Sequence, residues 1–247
     1  MSSEPTTFWE HLDELRYCIL HALGVTMVMA VVAFCLKEQL FDLVLAPCSD
    51  KFVAYRILGV EPFSLHLMNT GLTEQFMTHM RVALYAGLLM ASPYVLYQLF
   101  SFVSPGLYQN ERRAALWVVG SAYVMFLLGT TVNYLLIFPL TVHFLGTYQV
   151  SPEVANMLTL QSYIDTFISM SLVIGVAFEL PVVCAILGKM GLINGRLMSK
   201  YRRHAIVVIL IVAAIITPTT DVMTLMVVSL PIWLLYEVSI WIVKLNK

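Results

Sequence analysis

The chain has 247 residues, of which 60% are hydrophobic and only 12% are charged, and its formal net charge is -1. A soluble domain contains about half apolar and about a quarter charged residues, so this composition indicates an integral membrane protein. The sequence also lacks the basic stripe that follows a phosphate backbone, which excludes nucleic acid as a partner.

Six apolar stretches follow one another along the chain, and each is a candidate transmembrane helix. They comprise residues 17–36, 82–102, 114–138, 167–187, 205–216 and 222–243. A helix needs about 20 residues to cross about 30 Å of hydrocarbon. The pattern therefore predicts an all-α, polytopic membrane protein with six transmembrane helices in a single membrane domain, 1–247.

The last two stretches differ from the others because both are expected to be short. The fifth offers only twelve residues before Pro218, and the sixth is interrupted by Pro231 and Glu237. Two short spans that thin the bilayer or tilt within it are one interpretation, and a re-entrant hairpin that never reaches the far side is the other. Both interpretations leave the C-terminus on the same side.

The positions of Lys and Arg predict the orientation of the chain. Ten of these cations lie on the side of the six-span scheme that holds both termini, and three or four lie on the other side. By the positive-inside rule, both termini are expected in the cytoplasm. The long first loop, 37–73, is then an outer cap, and the residues that prevent one continuous helix in it are Pro47, Gly59, Pro62 and Gly71. The spacing leaves open a disulfide between Cys35 and Cys48.

No catalytic signature is found in the sequence. Nucleotide-binding glycine loops, the zinc motif H-E-x-x-H and the nucleophile motif G-x-S-x-G are all missing, and the six histidines lack ligand spacing. We therefore expect a protein that is not an enzyme and has no cofactor and no metal.

Two stretches on the cytoplasmic side carry charged residues in a pattern. In FWEHLDELR, apolar residues recur at helical spacing, while Glu10, Asp13 and Glu14 fall largely on the other flank. An acidic face points away from anionic lipid and toward a basic partner, although a merely solvated face is an equal alternative. In FVSPGLYQNERR, the charges of Glu111 and of the following arginines are also explained by the helix dipole and by topology.

A single carboxylate, Glu179, lies within the apolar run SLVIGVAFELPVVCAIL. An acid at this depth must face protein or water, and Pro181, which has no N–H, is expected to open the helix beside it. Gln98 is a candidate partner, directly or through water. A satisfied interhelical hydrogen bond, the proton relay of a small proton-coupled secondary transporter and a purely structural scaffold are the alternatives.

Four motifs in order, HLDELR, SPGLYQNERR, GVAFELPV and TPTTD, resemble those of the TatC family, the multispanning core of the twin-arginine protein translocase. Two departures are visible. Cys18 stands where the family often has a second basic residue, and TPTTD is one residue longer than the commoner TPPD.

The resemblance implies a receptor for twin-arginine signal peptides that exports folded cargo across the bacterial inner membrane. The implied partners are TatA and TatB-like single-span proteins, membrane lipid and further copies in a larger complex, and the implied fold is a bent, concave bundle. Glu14 and Glu111 would pair with the two guanidinium groups. The signal-peptide residues implied are Glu14, Leu15, Arg16, Phe102, Pro105, Tyr108, Glu111, Arg112 and Arg113. Thr217 and Asp221 would contact the single-span partners. From the isolated acid itself, we expect Glu179, with Gln98 as its candidate partner, to lie in a water-accessible intramembrane cavity on the concave face.

Overall fold

Helices make up nearly all of this computed structural model, which describes residues 8–50, 52–59, 65–103, 112–148, 158–217 and 222–245. In chain order they are α1 (Phe8–Cys35), α2 (Lys37–Leu45), a 3-10 turn (Ala46–Cys48), α3 (Val53–Leu58), α4 (Glu74–Val103), α5 (Arg112–Val132), a π-helical turn (Asn133–Ile137), α6 (Phe138–Thr147), α7 (Leu160–Ala177), α8 (Leu180–Lys189), α9 (Gly195–Lys200), α10 (Arg202–Ile216) and α11 (Val222–Leu245). The chain divides into two compact units, Met1–Leu40 with His79–Tyr123, and Phe41–Thr78 with Val124–Lys247.

Five helical segments among the described residues are long and apolar enough to cross a membrane. They are Leu12–Cys35, Glu74–Phe102, Val118–Thr147, Leu160–Lys189 and Val222–Leu245. The prediction of an all-α, multi-span membrane protein is confirmed. The remaining stretch is α10, whose 15 residues extend only about 22 Å at the helical rise of about 1.5 Å per residue. A total of six spans therefore stays a prediction.

The sixth apolar stretch corrects one expectation. Helix α11 runs for 24 residues with Pro231 inside it, so the expected interruption is absent and only α10 is short. A proline is tolerated in a membrane helix where neighbouring groups satisfy the freed backbone. Glu237 does not break the helix either, because its carboxylate accepts a hydrogen bond of 2.6 Å from the Arg202 guanidinium.

Within the first unit, α1 and α4 pack closely. The expected amphipathic segment and the first span form one helix of 28 residues. A Cβ added at Gly87 of α4 would lie 2.5 Å from the backbone nitrogen of Ala30 in α1, so only glycine permits this approach. Near the C-terminal end of α1, the rings of Phe34 and His79 stack with centroids 4.0 Å apart.

In the second unit, the outer cap is a series of short helices fixed by tyrosines. As expected, it breaks at Pro47, in the 3-10 turn, and at Gly59, which ends α3 with φ 64. Three tyrosine hydroxyls donate to carbonyls at the end of α2 and in the following turn, which would otherwise lack helical partners. The pairs are Tyr134 with Leu43, Tyr163 with Val44, and Tyr55 with Pro47. All four cysteines are free, so Cys35 and Cys48 form no disulfide.

The end of the outer cap is joined to the start of α7. Backbone groups of Met68 pair with Leu158 and Leu160 at 2.9 Å. The carboxylate of Glu74 accepts hydrogen bonds from the N–H groups of Thr70 at 2.8 Å, Gly71 at 3.0 Å and Gln161 at 3.0 Å. One buried carboxylate thus accepts hydrogen bonds from the backbone just before α4 and from the first turn of α7. Gln161, the residue in α7, lies 87 residues after Glu74.

Candidate functional site

An open cleft of about 660 Å³ lies between the first turns of α1 and the last turns of α4, entirely within the first unit. Its lining combines two carboxylates with aromatic, amide, thiol and imidazole groups. The lining residues are Asp13, Glu14, Tyr17, Cys18, His21, Tyr94 and Gln98. An acidic cleft with aromatic walls suits a cationic ligand.

Helical spacing explains how these side chains meet. Asp13, Tyr17 and His21 are four residues apart and share one face of α1, as Tyr94 and Gln98 do on α4. The Gln98 amide donates to the Tyr94 hydroxyl at 2.6 Å, which orients this wall of the cleft. Carboxylates accept guanidinium in a two-point geometry and aromatic faces stack on it, so the lining can hold an arginine side chain.

The structure describes part of the implied signal-peptide set. Glu14 lines the cleft, Arg16 is exposed, and Leu15 and Phe102 are half-buried. Pro105, Tyr108 and Glu111 lie outside the described residues. Arg112 and Arg113 begin α5, and their side chains also lie outside the described part. The pairing of Glu14 with Glu111 on one ligand stays a prediction.

The cleft also contains residues that the implied set omits: Asp13, Tyr17, Cys18, His21 and Tyr94. Asp13 was recognised only as part of an acidic flank. The four-residue repeat from Asp13 to His21 is visible in the sequence, whereas the pairing of that face with α4 depends on helix packing. Spacing in the sequence could have shown this face, which the sequence analysis does not single out, but not its partner.

Glu179 lies in a break of the fourth span, as expected from Pro181. Helix α7 ends at Ala177 and α8 begins at Leu180, with Phe178 and Glu179 in the turn between them. The break is tightly packed, since a Cβ added at Gly129 would lie 2.8 Å from the Phe178 ring. Both carboxylate oxygens of Glu179 are buried in protein, and neither accepts a hydrogen bond from the residues described.

The burial of the Glu179 oxygens concerns the hypothesis that this residue lies in a water-accessible cavity. In this conformation, the Glu179 oxygens face neither lipid nor open water. Gln98, the candidate partner, makes its hydrogen bond to Tyr94 and lines the acidic cleft. Glu179 and Gln98 belong to different compact units, so their partnership stays a prediction.

A second cleft, of about 440 Å³, lies within the second unit beside the end of α10. Polar side chains predominate in its lining, which comprises Thr159, Gln161, Ser162, Asp165, Thr166, Ser169, Ile215, Ile216 and Thr217. Thr217 is buried, and its hydroxyl donates to the Ala213 carbonyl at 3.0 Å. Asp221, its implied companion, lies outside the described residues.

The sequence model of the Sec-independent protein translocase protein (TatC) matches residues 10–231. The chain belongs to the TatC family. TatC from Desulforapulum autotrophicum is 34% identical over 96% of this chain and 84% of its own length. TatC from Carboxydothermus hydrogenoformans is 32% identical over 100% of this chain and 96% of its own length.

Solved structures of TatC agree with this assignment. A crystal structure described as the twin arginine translocase receptor TatC has a TM-score of 0.82 and 30% identity, and covers 96% of this chain and 99% of its own. A second, in the detergent DDM, has a TM-score of 0.81 and 29% identity. The resemblance drawn from four short motifs is therefore confirmed over nearly the whole chain.

Proposed function

We propose that this TatC protein is the receptor for twin-arginine signal peptides in a translocase that exports folded proteins. The observation that carries the proposal is the cleft that Asp13 and Glu14 of α1 line together with Tyr94 and Gln98 of α4. The two solved TatC structures are themselves described as twin arginine translocase receptors.

Recognition in the cleft follows from the chemistry of guanidinium. An arginine stays charged at any physiological pH and presents a planar fork of donors, whereas lysine presents a compact point charge. An ion pair that stays exposed to water contributes little to the binding free energy. The tyrosines are therefore expected to strengthen binding, because with a bound peptide they exclude water from the carboxylates. Each charge-assisted hydrogen bond then contributes about 1.5 to 3 kcal/mol. Glu111 is proposed as the acceptor for the second arginine.

Glu179 is proposed to act after recognition, when a signal peptide enters the membrane domain. A buried carboxyl without a hydrogen-bond partner among the described residues is expensive, and such intramembrane acids commonly mark a transport route. We propose that insertion opens the helix break and gives this carboxyl a partner or water. No observation favours an independent proton-coupled transporter.

The remaining assignments concern the setting of the protein. We propose the bacterial inner membrane, with both termini in the cytoplasm, as the distribution of Lys and Arg indicates. TatA and TatB-like single-span proteins would contact Thr217 and Asp221 near the end of α10, and further copies would join a larger complex. No enzymatic step is proposed for this chain.

The receptor proposal is tested by disulfide crosslinking, because Cys18 lies in the cleft. A variant keeps Cys18 and replaces the other three cysteines with Ser, and the signal peptide carries one cysteine beside its arginine pair. We expect a crosslink that Asp13→Asn with Glu14→Gln reduces about tenfold, corresponding to the loss of one charge-assisted contact. A lysine-pair peptide should give a comparably weak crosslink.

Two controls make the experiment specific. A variant that keeps only Cys35, an exposed thiol at the other end of α1, should not crosslink. Glu38→Gln removes an exposed acid from α2 and should leave the Cys18 crosslink unchanged. Equal crosslinking of arginine-pair and lysine-pair peptides would refute the proposed recognition.

A further inference from the structure

A cluster of cations lies at the end of α8, in α9, at the start of α10 and in the last turn of α11, and the receptor function does not use it. We call this cluster the basic rim. Its members are Lys189, Arg196, Lys200, Arg203 and Lys244, and all five are exposed. On the charge distribution, the rim lies on the same side as the termini.

The rim is not neutralised within the described part of the chain. Glu237 is the only acidic residue in helices α8 to α11. Its carboxylate is already paired with Arg202 at 2.6 Å. None of the five rim cations has an acidic partner among the residues described, so their charge is available to a ligand.

Helix α9 holds part of the rim in a fixed place. The Asn194 side chain accepts a hydrogen bond of 3.2 Å from the Arg196 N–H, and the Tyr236 hydroxyl donates to the Met198 carbonyl at 3.0 Å. Met198 is buried in a core cluster with residues of α11. Because they are four residues apart, Arg196 and Lys200 are presented on one side of this anchored helix.

Lys244 is placed beside α9 by close packing. A Cβ added at Gly195 would lie 2.5 Å from the Lys244 Cγ, so the aliphatic stem of Lys244 runs across this glycine. A lysine whose aliphatic stem lies on protein can still extend its ammonium group to the membrane surface. The rim therefore draws on both α9 and α11.

Large apolar side chains alternate with these cations. Leu192 is 64% exposed, and Leu197 and Tyr201 are each 48% exposed. A phospholipid offers these side chains acyl chains directly next to a phosphate, a combination that free phosphate does not provide. We propose that the basic rim binds the phosphate headgroups of anionic phospholipids, with Leu192, Leu197 and Tyr201 in the acyl region.

The proposal differs from a purely topogenic role for the same charges. Topogenic cations act during insertion and need no fixed geometry, so they predict no selective retention of lipid afterwards. An anchored rim with guanidinium groups predicts that phosphatidylglycerol stays bound after purification, because guanidinium pairs with phosphate in a two-point geometry.

The test is native mass spectrometry of the delipidated full chain, with phosphatidylglycerol or phosphatidylcholine added back. We expect selective retention of phosphatidylglycerol by the wild-type chain. Arg196→Gln with Lys200→Gln and Arg203→Gln should weaken retention by roughly fivefold for each cation removed. Lys37→Gln with Arg56→Gln, which removes exposed cations from the outer cap, should leave it unchanged.

Several outcomes would overturn the proposal. Equal retention of the two lipids by the wild-type chain requires no variant and would be decisive even if the triple variant failed to fold. Displacement of the lipid by millimolar inorganic phosphate would indicate a site for free phosphate. Stronger competition by a polyglutamate peptide would indicate a protein partner. Arg196→Lys with Arg203→Lys keeps the charge but not the two-point geometry, so it should weaken retention less than the triple Gln variant, and it separates binding from a folding defect.

Discussion

Glu74 is a residue whose hydrogen bonds join two segments of the second unit that lie 87 residues apart in the chain. Its carboxylate joins Thr70, Gly71 and Gln161, and the residue itself is buried. Hydrogen bonds to a charged acceptor contribute about 1.5 to 3 kcal/mol each, and leaving buried donors without partners costs a similar amount. The side chain therefore fixes the entry to α4 and the start of α7 together.

The first prediction concerns this residue. Glu74→Gln should lower the free energy of unfolding, because an amide presents N–H groups to donors that a carboxylate accepted. Thermal unfolding in detergent, followed by circular dichroism, measures the change. Glu38→Gln, an exposed acid at the start of α2, is the matched control and should unfold like the wild type. An unchanged Glu74→Gln melting curve would contradict the role.

For Glu179 we expect the opposite effect on stability, because removal of its carboxylate should stabilise the fold. Because both of its oxygens are buried without a hydrogen bond from the described residues, Glu179→Leu should raise the melting temperature while export of a folded reporter falls. Glu179→Gln should retain signal-peptide binding. Glu237→Leu is the matched comparison, since Glu237 is paired with Arg202 and its loss should lower stability. Full export by Glu179→Leu would show that this carboxyl has no role in transport.

These two acids show what sequence reasoning can reach at the scale of a residue. Glu179 is conspicuous because it stands alone in an apolar run, and Pro181 two positions later predicts the helix break. Glu74 is not conspicuous, because its partner Gln161 lies 87 residues away. Long-range hydrogen bonds of this kind depend on how helices pack, and no local pattern encodes them.

At the scale of the helix, the apolar runs predicted where most of the long helices lie, but not the residues at which those helices begin and end. The second stretch was predicted as 82–102, and α4 runs Glu74–Val103. The fourth was predicted as 167–187, and α7 with α8 covers Leu160–Ala177 and Leu180–Lys189. Hydropathy marks only the part of a helix suited to hydrocarbon, whereas backbone hydrogen bonding continues through the polar turns at either end. The π-helical turn at Asn133–Ile137 had no signal that we recognised.

The contact between α1 and α4 gives a prediction at this scale. Gly87→Ala should destabilise the chain by about 1 to 3 kcal/mol, because the added methyl group meets the backbone of Ala30. Since the two helices form the walls of the acidic cleft, the Cys18 crosslink to a signal peptide should weaken as well. Gly24→Ala is the control on α1, where an added Cβ meets nothing within 4 Å. Equal melting of both variants would contradict tight packing at Gly87.

For the whole molecule, the open question is whether α10 crosses the membrane. Five segments among the described residues are long enough, and α10 has only 15 residues. A crossing by α10 makes six spans and places the junction of α10 and α11 outside. A re-entrant α10 would leave that junction on the cytoplasmic side.

The last prediction separates these cases by labelling with a membrane-impermeant thiol reagent. The four native cysteines are first replaced with Ser, including Cys48, even though burial raises the pKa of its thiol and slows its reaction. Single cysteines are then placed at His204, an exposed position in the first turn of α10, and at Thr219, between α10 and α11. Because a crossing helix must separate its two ends, we expect Thr219→Cys to be labelled from outside and His204→Cys only after the membrane is opened. Labelling of both positions from the cytoplasmic side alone would contradict a crossing by α10 and the count of six spans.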